Sequence, residues 1–156
     1  MRILFVCTGN SCRSVMAHQL LKRIIRTRAL QDWQADSCGL AANPAFPTPP
    51  HVKTVLAREG IADFEHTPRQ ITGRLVEWAD YVLVMQEDQK KAVERRFASS
   101  RTPVALLRGQ VNLPEPEIED PVHLPLEVYE RCFARIKEAV ETLVKKYEAN
   151  SKKAGS

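Results

Sequence analysis

One stretch near the N-terminus decides the fold: Ile3-Leu4-Phe5-Val6-Cys7-Thr8-Gly9-Asn10-Ser11-Cys12-Arg13-Ser14. Its continuous apolar run predicts a strand that is buried on both faces. The polar segment that follows is rich in residue types that form tight loops, and a helical pattern begins directly after it. The stretch therefore predicts a strand, a compact loop and a helix in immediate succession.

The polar segment has the dimensions of an anion-binding loop. Five residues separate Cys7 from Arg13, a spacing that suits a loop curled around one small anion, with its N–H groups inward and a helix N-terminus behind. Gly9 and Asn10 are the residue types that most easily adopt the positive φ of such a curl. The helix end and the guanidinium would both favour a thiolate at Cys7. We infer a cysteine nucleophile in an oxyanion cradle, poised to attack phosphorus.

Apolar patterns elsewhere in the chain predict an alternation of strands and helices. Strands are expected at residues 2–6, 33–38, 81–85 and 103–107. Helices are expected at residues 14–28, 49–60, 72–79 and 86–97, and over the apolar face from Tyr129 to Tyr147. Thr48 is expected to cap the second helix, and residues 108–119 are expected to form a loop. The alternation predicts an α/β fold, a single-domain, doubly wound, four-stranded parallel sheet with helices on both faces.

The predicted loop lies where such folds place their sites. In open parallel sheets, ligands bind beyond the C-terminal ends of the strands. Residues 7–14 leave that end of the first strand, so motif and architecture agree.

Length and composition indicate one ordinary globular domain. The chain has 156 residues, of which 44% are hydrophobic and 27% charged; we expect a domain at residues 1–149 and a polar, disordered tail at 150–156. The N-terminus lacks the apolar core of a signal peptide, and no run reaches the length of a membrane span, so we expect a cytoplasmic protein without membrane partners. Four cysteines without a Cys-x-x-Cys pair indicate reduced thiols and no zinc site.

The net charge of +4 is mild and favours anionic substrates through steering. Nucleic-acid binding predicts basic patches interleaved with exposed aromatic residues, whereas aromatic residues make up only 6% of the chain. We therefore expect no nucleic-acid partner.

The loop residues suggest a complete phosphoryl-transfer apparatus. Arg13 offers a planar pair of donors to phosphate oxygens, and residues Thr8, Gly9, Asn10, Ser11 and Cys12 would bind the other oxygens through their N–H groups, so that no metal ion and no cofactor is required. Cys7 would attack phosphorus and form a phosphocysteine. Ser14, one residue after Arg13, is placed to donate a hydrogen bond to the sulfur.

Four segments in order resemble the low-molecular-weight protein tyrosine phosphatases. They are residues 7–14, Ser37-Cys38-Gly39, His66-Thr67-Pro68-Arg69-Gln70-Ile71-Thr72 and Ile118-Glu119-Asp120-Pro121. The resemblance spans residues 2 to about 147. It implies a four-stranded parallel sheet, phosphorylated protein or peptide substrates, inorganic phosphate as product, and Asp120 as the general acid and base.

The resemblance also implies supporting roles. Asn10, Ser37 and His66 match a hydrogen-bond network that braces the phosphate loop, where Asn10 holds a strained conformation. Cys12 matches a second loop cysteine that forms a reversible, protective disulfide with Cys7, although a small packing residue is an equal alternative.

Three departures from the family pattern leave the substrate open. Val15 replaces a common proline, and Val122 and His123 replace the aromatic residues that usually follow the Asp-Pro pair; Phe46 is a candidate for an aromatic wall. Ser11 replaces a branched apolar residue. A hydroxyl there is closer to the related protein arginine phosphatases, where it could orient attack on a phosphorus–nitrogen bond while Asp120 pairs with the guanidinium.

Two further alternatives fit the sequence less well. Arsenate reduction would need two more cysteines close together in a later loop, and Cys38 and Cys132 are not such a pair. A non-catalytic anion-binding or redox module would keep Cys7, Cys12 and Arg13 but has no use for Asp120-Pro121. The first-choice prediction is therefore a phosphatase that hydrolyses phosphotyrosine and aryl phosphate monoesters.

Overall fold

Four parallel strands form one sheet in the computed structural model, which describes residues 1–155. The strands are β1 (Arg2–Cys7), β2 (Gln34–Gly39), β3 (Tyr81–Val84) and β4 (Val104–Leu106). Their order across the sheet is β2-β1-β3-β4, and all neighbouring pairs are parallel. The predicted four-stranded parallel sheet is confirmed, and each strand lies within two residues of its predicted ends.

The register of the sheet brings the segments that follow β1, β2 and β3 together at the C-terminal ends of the strands. The last residue of β1, Cys7, pairs with Gly39, the last residue of β2. On the other side of β1, Val6 pairs with Val84, which ends β3. The segments that leave β1, β2 and β3 therefore begin at the same height and can contact one another.

Within residues 1–155, six helices complete the fold: α1 (Arg13–Thr27), α2 (Pro50–Arg58), α3 (Gly73–Trp78), α4 (Glu87–Arg96), α5 (Leu107–Gln110) and α6 (Leu126–Ala154). Alternate residues of β1 divide them between two apolar cores. Ile3 and Phe5 belong to a core built with α1, α2 and α6. Leu4 and Val6 belong to a second core that includes residues of α3 and α4. Both faces of the sheet are therefore covered by helices, as the sequence predicts.

Two local expectations are wrong. Residues 108–119 do not form a continuous loop, because α5 occupies Leu107–Gln110; four residues are too short for a helical apolar period to appear in the sequence. Thr48 does not cap α2, whose N-cap is Pro49 without a side-chain hydrogen bond. Proline in the first turn already supplies a suitable φ and needs no partner for a missing N–H.

The C-terminal helix is longer than its apolar stripe. Its buried face ends at Val144, yet the helix continues to Ala154. Residues 150–154, which the sequence assigns to a disordered tail, form its last exposed turn. Although α6 has 29 residues, none of the helices in residues 1–155 is both long and apolar enough to cross a membrane.

Candidate active site

The loop between β1 and α1 has an unusual backbone. Asn10 has a φ of 53°, in the left-handed region, whereas Gly9 does not adopt a positive φ; the asparagine alone supplies the conformation that the sequence predicts for either residue. Within residues 1–155, the N–H groups of residues 8–12 donate no hydrogen bond to the protein. Cys12, the N-cap of α1, adds no side-chain cap. The loop therefore offers a series of unpaired N–H donors at a helix N-terminus, which suits an anion.

Gly39 allows this loop to rest directly on the end of β2. A Cβ atom at Gly39 would lie 2.8 Å from the carbonyl oxygen of Thr8 and 2.9 Å from the backbone nitrogen of Asn10. Any side chain would push the loop outward, since atoms at these distances overlap. The glycine in the Ser37-Cys38-Gly39 segment is thus required by close backbone approach.

The Cys7 sulfur lies at the base of the loop in contact with Ser14. Its Sγ is 3.0 Å from the Ser14 hydroxyl oxygen. That oxygen also accepts a 2.8 Å hydrogen bond from the side-chain amide of Asn10. The hydroxyl hydrogen of Ser14 is therefore free to point at the sulfur.

Asn10 connects the loop to β2 and to the segment before α3. Its amide nitrogen donates to the hydroxyl of Ser37 at 3.0 Å, and its amide oxygen accepts from the Arg69 N–H at 3.0 Å. Its carbonyl oxygen is 2.7 Å from Nε2 of His66. A carbonyl only accepts, so His66 carries its proton on Nε2. The structure thus brings Asn10, Ser37 and His66 together as the family resemblance implies.

Arg13 is buried and held from one side. Its Nη1 donates 2.7 Å hydrogen bonds to Oε1 of Gln86 and to the carbonyl oxygen of Ile118. Its Nη2 lies 3.6 Å from Oδ2 of Asp120, too far for a hydrogen bond. The hydrogens of Nη2 and Nε remain for a ligand, and the carboxyl of Asp120, which is 42% exposed, faces them from solvent.

Three side chains of the site are missed by the sequence analysis: His18, Gln86 and Gln89. The Nδ1 atom of His18 is 3.0 Å from the Ser37 hydroxyl, which extends the Asn10 network. Gln89 is buried, donates to the Thr8 hydroxyl at 3.1 Å and accepts from the Met85 N–H at 2.9 Å. The sequence positions of all three could have placed them near the site. His18 follows Ser14 by one helical turn, and both glutamines follow the C-terminal end of a predicted strand.

The other three thiols are buried as well. Burial raises the pKa of Cys12 to about 11, and burial also raises the pKa of Cys38 and of Cys132 to about 12. These three sulfurs are neutral near pH 7, and all four cysteines are free. Within residues 1–155, no three His, Cys, Asp or Glu side chains group as metal ligands would.

A cavity of about 490 Å³ opens beside the loop. Ser11 lies at its edge, and its apolar walls include Phe46, Val122, Leu124 and Tyr129. Phe46, Val122 and Leu124 are exposed. A slightly larger cavity of about 520 Å³ lies between α1 and residues 60–65, but no residue of the loop at 7–14 lines it. The chemistry of the loop residues, and not cavity size, therefore identifies the site.

Known proteins share both this sequence and this fold. The family model for low molecular weight phosphotyrosine protein phosphatase matches residues 2–153. The chain is 35% identical to the "probable low molecular weight protein-tyrosine-phosphatase EpsP" of Ralstonia solanacearum, over 94% of this chain and 96% of that protein. It is 32% identical to the protein-arginine-phosphatase of Geobacillus stearothermophilus, with the same two coverages.

A solved structure gives the same result. The YwlE arginine phosphatase from Geobacillus stearothermophilus superposes with a TM-score of 0.88 at 31% identity, covering 97% of this chain and 96% of that one. The chain described here belongs to the low molecular weight phosphotyrosine protein phosphatase family. This family membership confirms the resemblance noted in the sequence.

Proposed function

We propose that this protein is a metal-independent phosphatase that hydrolyses phosphotyrosine and aryl phosphate monoesters through a phosphocysteine intermediate. One observation carries the proposal: the Cys7 sulfur lies at the base of a loop of unpaired N–H groups, with the Arg13 guanidinium and the Asp120 carboxyl at the same site. Nucleophile, anion cradle and acid are the three parts that the reaction needs.

In the first step, the Cys7 thiolate attacks phosphorus as the bond to the leaving oxygen breaks. The electron pair of that bond goes to the leaving oxygen, which takes a proton from the Asp120 carboxyl and departs as the alcohol or phenol. Arg13 and the loop N–H groups bind the three equatorial oxygens. The Gln86 and Ile118 hydrogen bonds hold the guanidinium in place for this role.

In the second step, water attacks the phosphocysteine while the Asp120 carboxylate takes its proton. The sulfur–phosphorus bond breaks, inorganic phosphate is released, and Cys7 returns to a thiolate. The Ser14 hydroxyl, 3.0 Å from the sulfur, stabilises that leaving thiolate. The charge on Arg13 and the loop dipoles supply the electrostatic stabilisation that a metal ion would otherwise provide.

Phosphorylated protein or peptide side chains fit the entrance of the site. The exposed apolar walls at Phe46, Val122 and Leu124 can pack against a phosphotyrosine ring while its phosphate reaches the loop. The predicted cytoplasmic location is consistent with four buried free thiols, which belong to a reducing compartment. The protective Cys7–Cys12 disulfide remains a prediction.

Phosphoarginine is the second candidate substrate, and the position of Ser11 favours it. Ser11 lies at the junction of the loop and the cavity, where its hydroxyl can contact the bridging atom of the substrate. The exposed Asp120 carboxylate could pair with the guanidinium of phosphoarginine. The relatives from Geobacillus stearothermophilus carry the arginine phosphatase name.

Hydrolysis of para-nitrophenyl phosphate tests the mechanism. We expect turnover that survives a chelator, disappears in Cys7→Ser and falls by about 100-fold in Asp120→Asn, the range typical of a general acid. Asp63, an exposed loop aspartate that does not line the cavity beside Ser11, provides the matched control; Asp63→Asn should keep full activity. Full activity in Cys7→Ser would refute the nucleophile.

A comparison of kcat/KM on phosphotyrosine and phosphoarginine peptides decides the substrate. We expect phosphotyrosine to be preferred; a preference of tenfold or more for phosphoarginine would replace the first candidate with the second. In either case, Ser11→Ile should shift the ratio of the two kcat/KM values toward phosphotyrosine, because it removes the hydroxyl and adds apolar surface beside the ring.

A further inference from the structure

A continuous chain of hydrogen bonds runs from the side chain of His18 to the Cys7 sulfur. It passes from His18 Nδ1 to the Ser37 hydroxyl at 3.0 Å, and from there to the Asn10 amide nitrogen at 3.0 Å. It continues to the Ser14 hydroxyl at 2.8 Å and to the sulfur at 3.0 Å. His18 lies on α1, one turn after Ser14, and is part of neither the loop nor the cavity.

One contact outside the chain of hydrogen bonds fixes the orientation of the Asn10 amide. The Asn10 amide oxygen accepts from the Arg69 N–H, so the amide nitrogen must be the atom that faces both serines. Its two hydrogens then go to the oxygens of Ser14 and Ser37, and each hydroxyl keeps its own hydrogen to donate onward. Ser14 can then donate to the Cys7 sulfur. Ser37, which is 2% exposed, can donate to Nδ1 of His18.

We propose that neutral His18 is a positioning residue for the Cys7 nucleophile, because its Nδ1 lone pair accepts the hydroxyl hydrogen of Ser37 and so keeps Asn10 and Ser14 aligned on the sulfur. Without that acceptor, the buried hydroxyl hydrogen of Ser37 has no partner. The Ser37 side chain must then rotate to find one, which weakens the hydrogen bond that it accepts from the Asn10 amide. The inference rests on the proposed function, since it concerns the same nucleophile.

The surroundings of His18 keep it neutral. Burial is the largest influence and lowers its pKa to about 4. Asp36 on β2 opposes this shift, whereas Lys22 on α1 and His66 and Arg69 on the segment before α3 reinforce it. These are the charged and titratable groups that face the ring. With His18 neutral and Nδ1 accepting, its proton lies on Nε2.

A pair of variants separates the hydrogen bond from packing. His18→Phe keeps a ring but removes the acceptor, whereas His18→Asn keeps an acceptor oxygen near the position of Nδ1. We expect His18→Phe to lower kcat on para-nitrophenyl phosphate by about tenfold. It should also move the pH midpoint of Cys7 alkylation by iodoacetamide upward by about half a unit, read by mass spectrometry of the Cys7 peptide. In His18→Asn, kcat should stay within about twofold of the value for the unmutated protein, and the alkylation midpoint should not move.

Gln19→Leu is the matched control, since Gln19 is a buried polar residue of α1 whose side chain takes no part in this chain of hydrogen bonds. It should change neither readout. In a Ser37→Ala background, His18→Phe should have no further effect, because the link it breaks is already absent. Additive losses, equal losses in the Phe and Asn variants, or an unchanged midpoint in His18→Phe would each overturn the proposal.

Nitrogen-15 NMR of the unmutated protein tests the same point where a variant fails to fold. We expect His18 to be neutral at pH 6 with its proton on Nε2; a proton on Nδ1 would overturn the proposal. The alkylation midpoint and the NMR tautomer do not require turnover. If the protein hydrolyses no phosphate ester, the proposed function fails while these two readouts still decide the role of His18.

Discussion

At the scale of single residues, Asn10 joins the loop to α1, to β2 and to the segment before α3. It adopts a positive φ and donates or accepts hydrogen bonds to Ser14, Ser37 and Arg69. Its backbone carbonyl adds a bond from His66. A left-handed conformation costs of order 1 kcal/mol for a residue with a side chain, and these bonds offset that cost. The loop is therefore held in shape before any phosphate arrives.

Gly39 sets the distance between the loop and the sheet, which leads to a first prediction. Gly39→Ala would place a methyl group 2.8 Å from the Thr8 carbonyl oxygen and 2.9 Å from the Asn10 nitrogen, so the loop must shift. We expect the inhibition constant of inorganic phosphate to rise by about tenfold or more, in keeping with the loss of aligned donors. Gly73→Ala is the control, because its methyl group would meet only the Phe97 ring at 3.9 Å. Unchanged phosphate inhibition in Gly39→Ala would contradict this reasoning.

The neutral side chain of Gln86 leads to a second prediction. Gln86 orients Arg13 at 2.7 Å without cancelling its charge. Gln86→Glu would put a half-buried carboxylate against the guanidinium, where it competes with a phosphate dianion for the same positive charge. We expect KM for para-nitrophenyl phosphate to rise by about tenfold in steady-state assays.

Gln86→Met provides the comparison for that charge effect. It removes the orienting bond without adding charge, so kcat should fall more than KM rises. If the Glu and Met variants gave the same kinetic pattern, charge compensation at Arg13 would not be the reason for a neutral residue here.

At the scale of elements, α5 depends on one buried guanidinium. Arg108 is 4% exposed and donates to the carbonyl oxygens of Pro114, Glu115 and Arg135 and to the carboxylate of Glu138. These bonds attach α5 and the segment after it to α6. The four residues of α5 are too few to form a stable helix by themselves. The hydrogen bonds from Arg108 to α6 and to the segment after α5 hold the short helix in place.

A third prediction concerns this attachment. Arg108→Met keeps a long apolar side chain but leaves buried acceptors unpaired, so the free energy of unfolding should fall by about 3 kcal/mol. Urea unfolding measures it. Arg135→Met, which removes a more exposed arginine bonded to Glu115, should cost less than about 1 kcal/mol. A loss of that small size for Arg108→Met would mean that the buried bonds do not stabilise the segment.

The elements that the sequence predicts well are those with a repeating apolar signal. The strands and α6 show such a signal over several residues, and the structure confirms them. The helix α5 and the Pro49 cap lack one, because their conformations depend on tertiary contacts and proline geometry. The same division holds in the site. Cys7, Arg13 and Ser14 are predicted from their spacing, but His18 and Gln86 act through contacts made only after the sheet forms.

At the scale of the whole molecule, stability should depend on pH through His18. Its pKa is lowered to about 4 by burial, whereas a histidine in an unfolded chain has a pKa near 6.5. Between these values the unfolded chain binds more protons than the folded one, so stability decreases as pH falls from about 6.5 to about 4. The shift corresponds to about 3 kcal/mol at most.

This fourth prediction is measured by urea unfolding at pH 7 and pH 4.5. The unmutated protein should lose stability between the two, and His18→Asn should lose markedly less, because asparagine does not titrate. Burial lowers the pKa of His66 as well, so His18→Asn should retain a smaller loss. An equal loss in both proteins would assign the pH dependence to other groups.

The central place of β1 in the sheet has a consequence for biosynthesis. The proposed nucleophile, Cys7, ends β1, but the groups that contact its loop or Arg13 come from Ser37, His66, Gln86 and finally Asp120. During translation Cys7 is therefore made well before the proposed acid. A product truncated before Ile118 would lack both the carbonyl oxygen that holds Arg13 and the carboxyl of Asp120, so we expect it to be inactive.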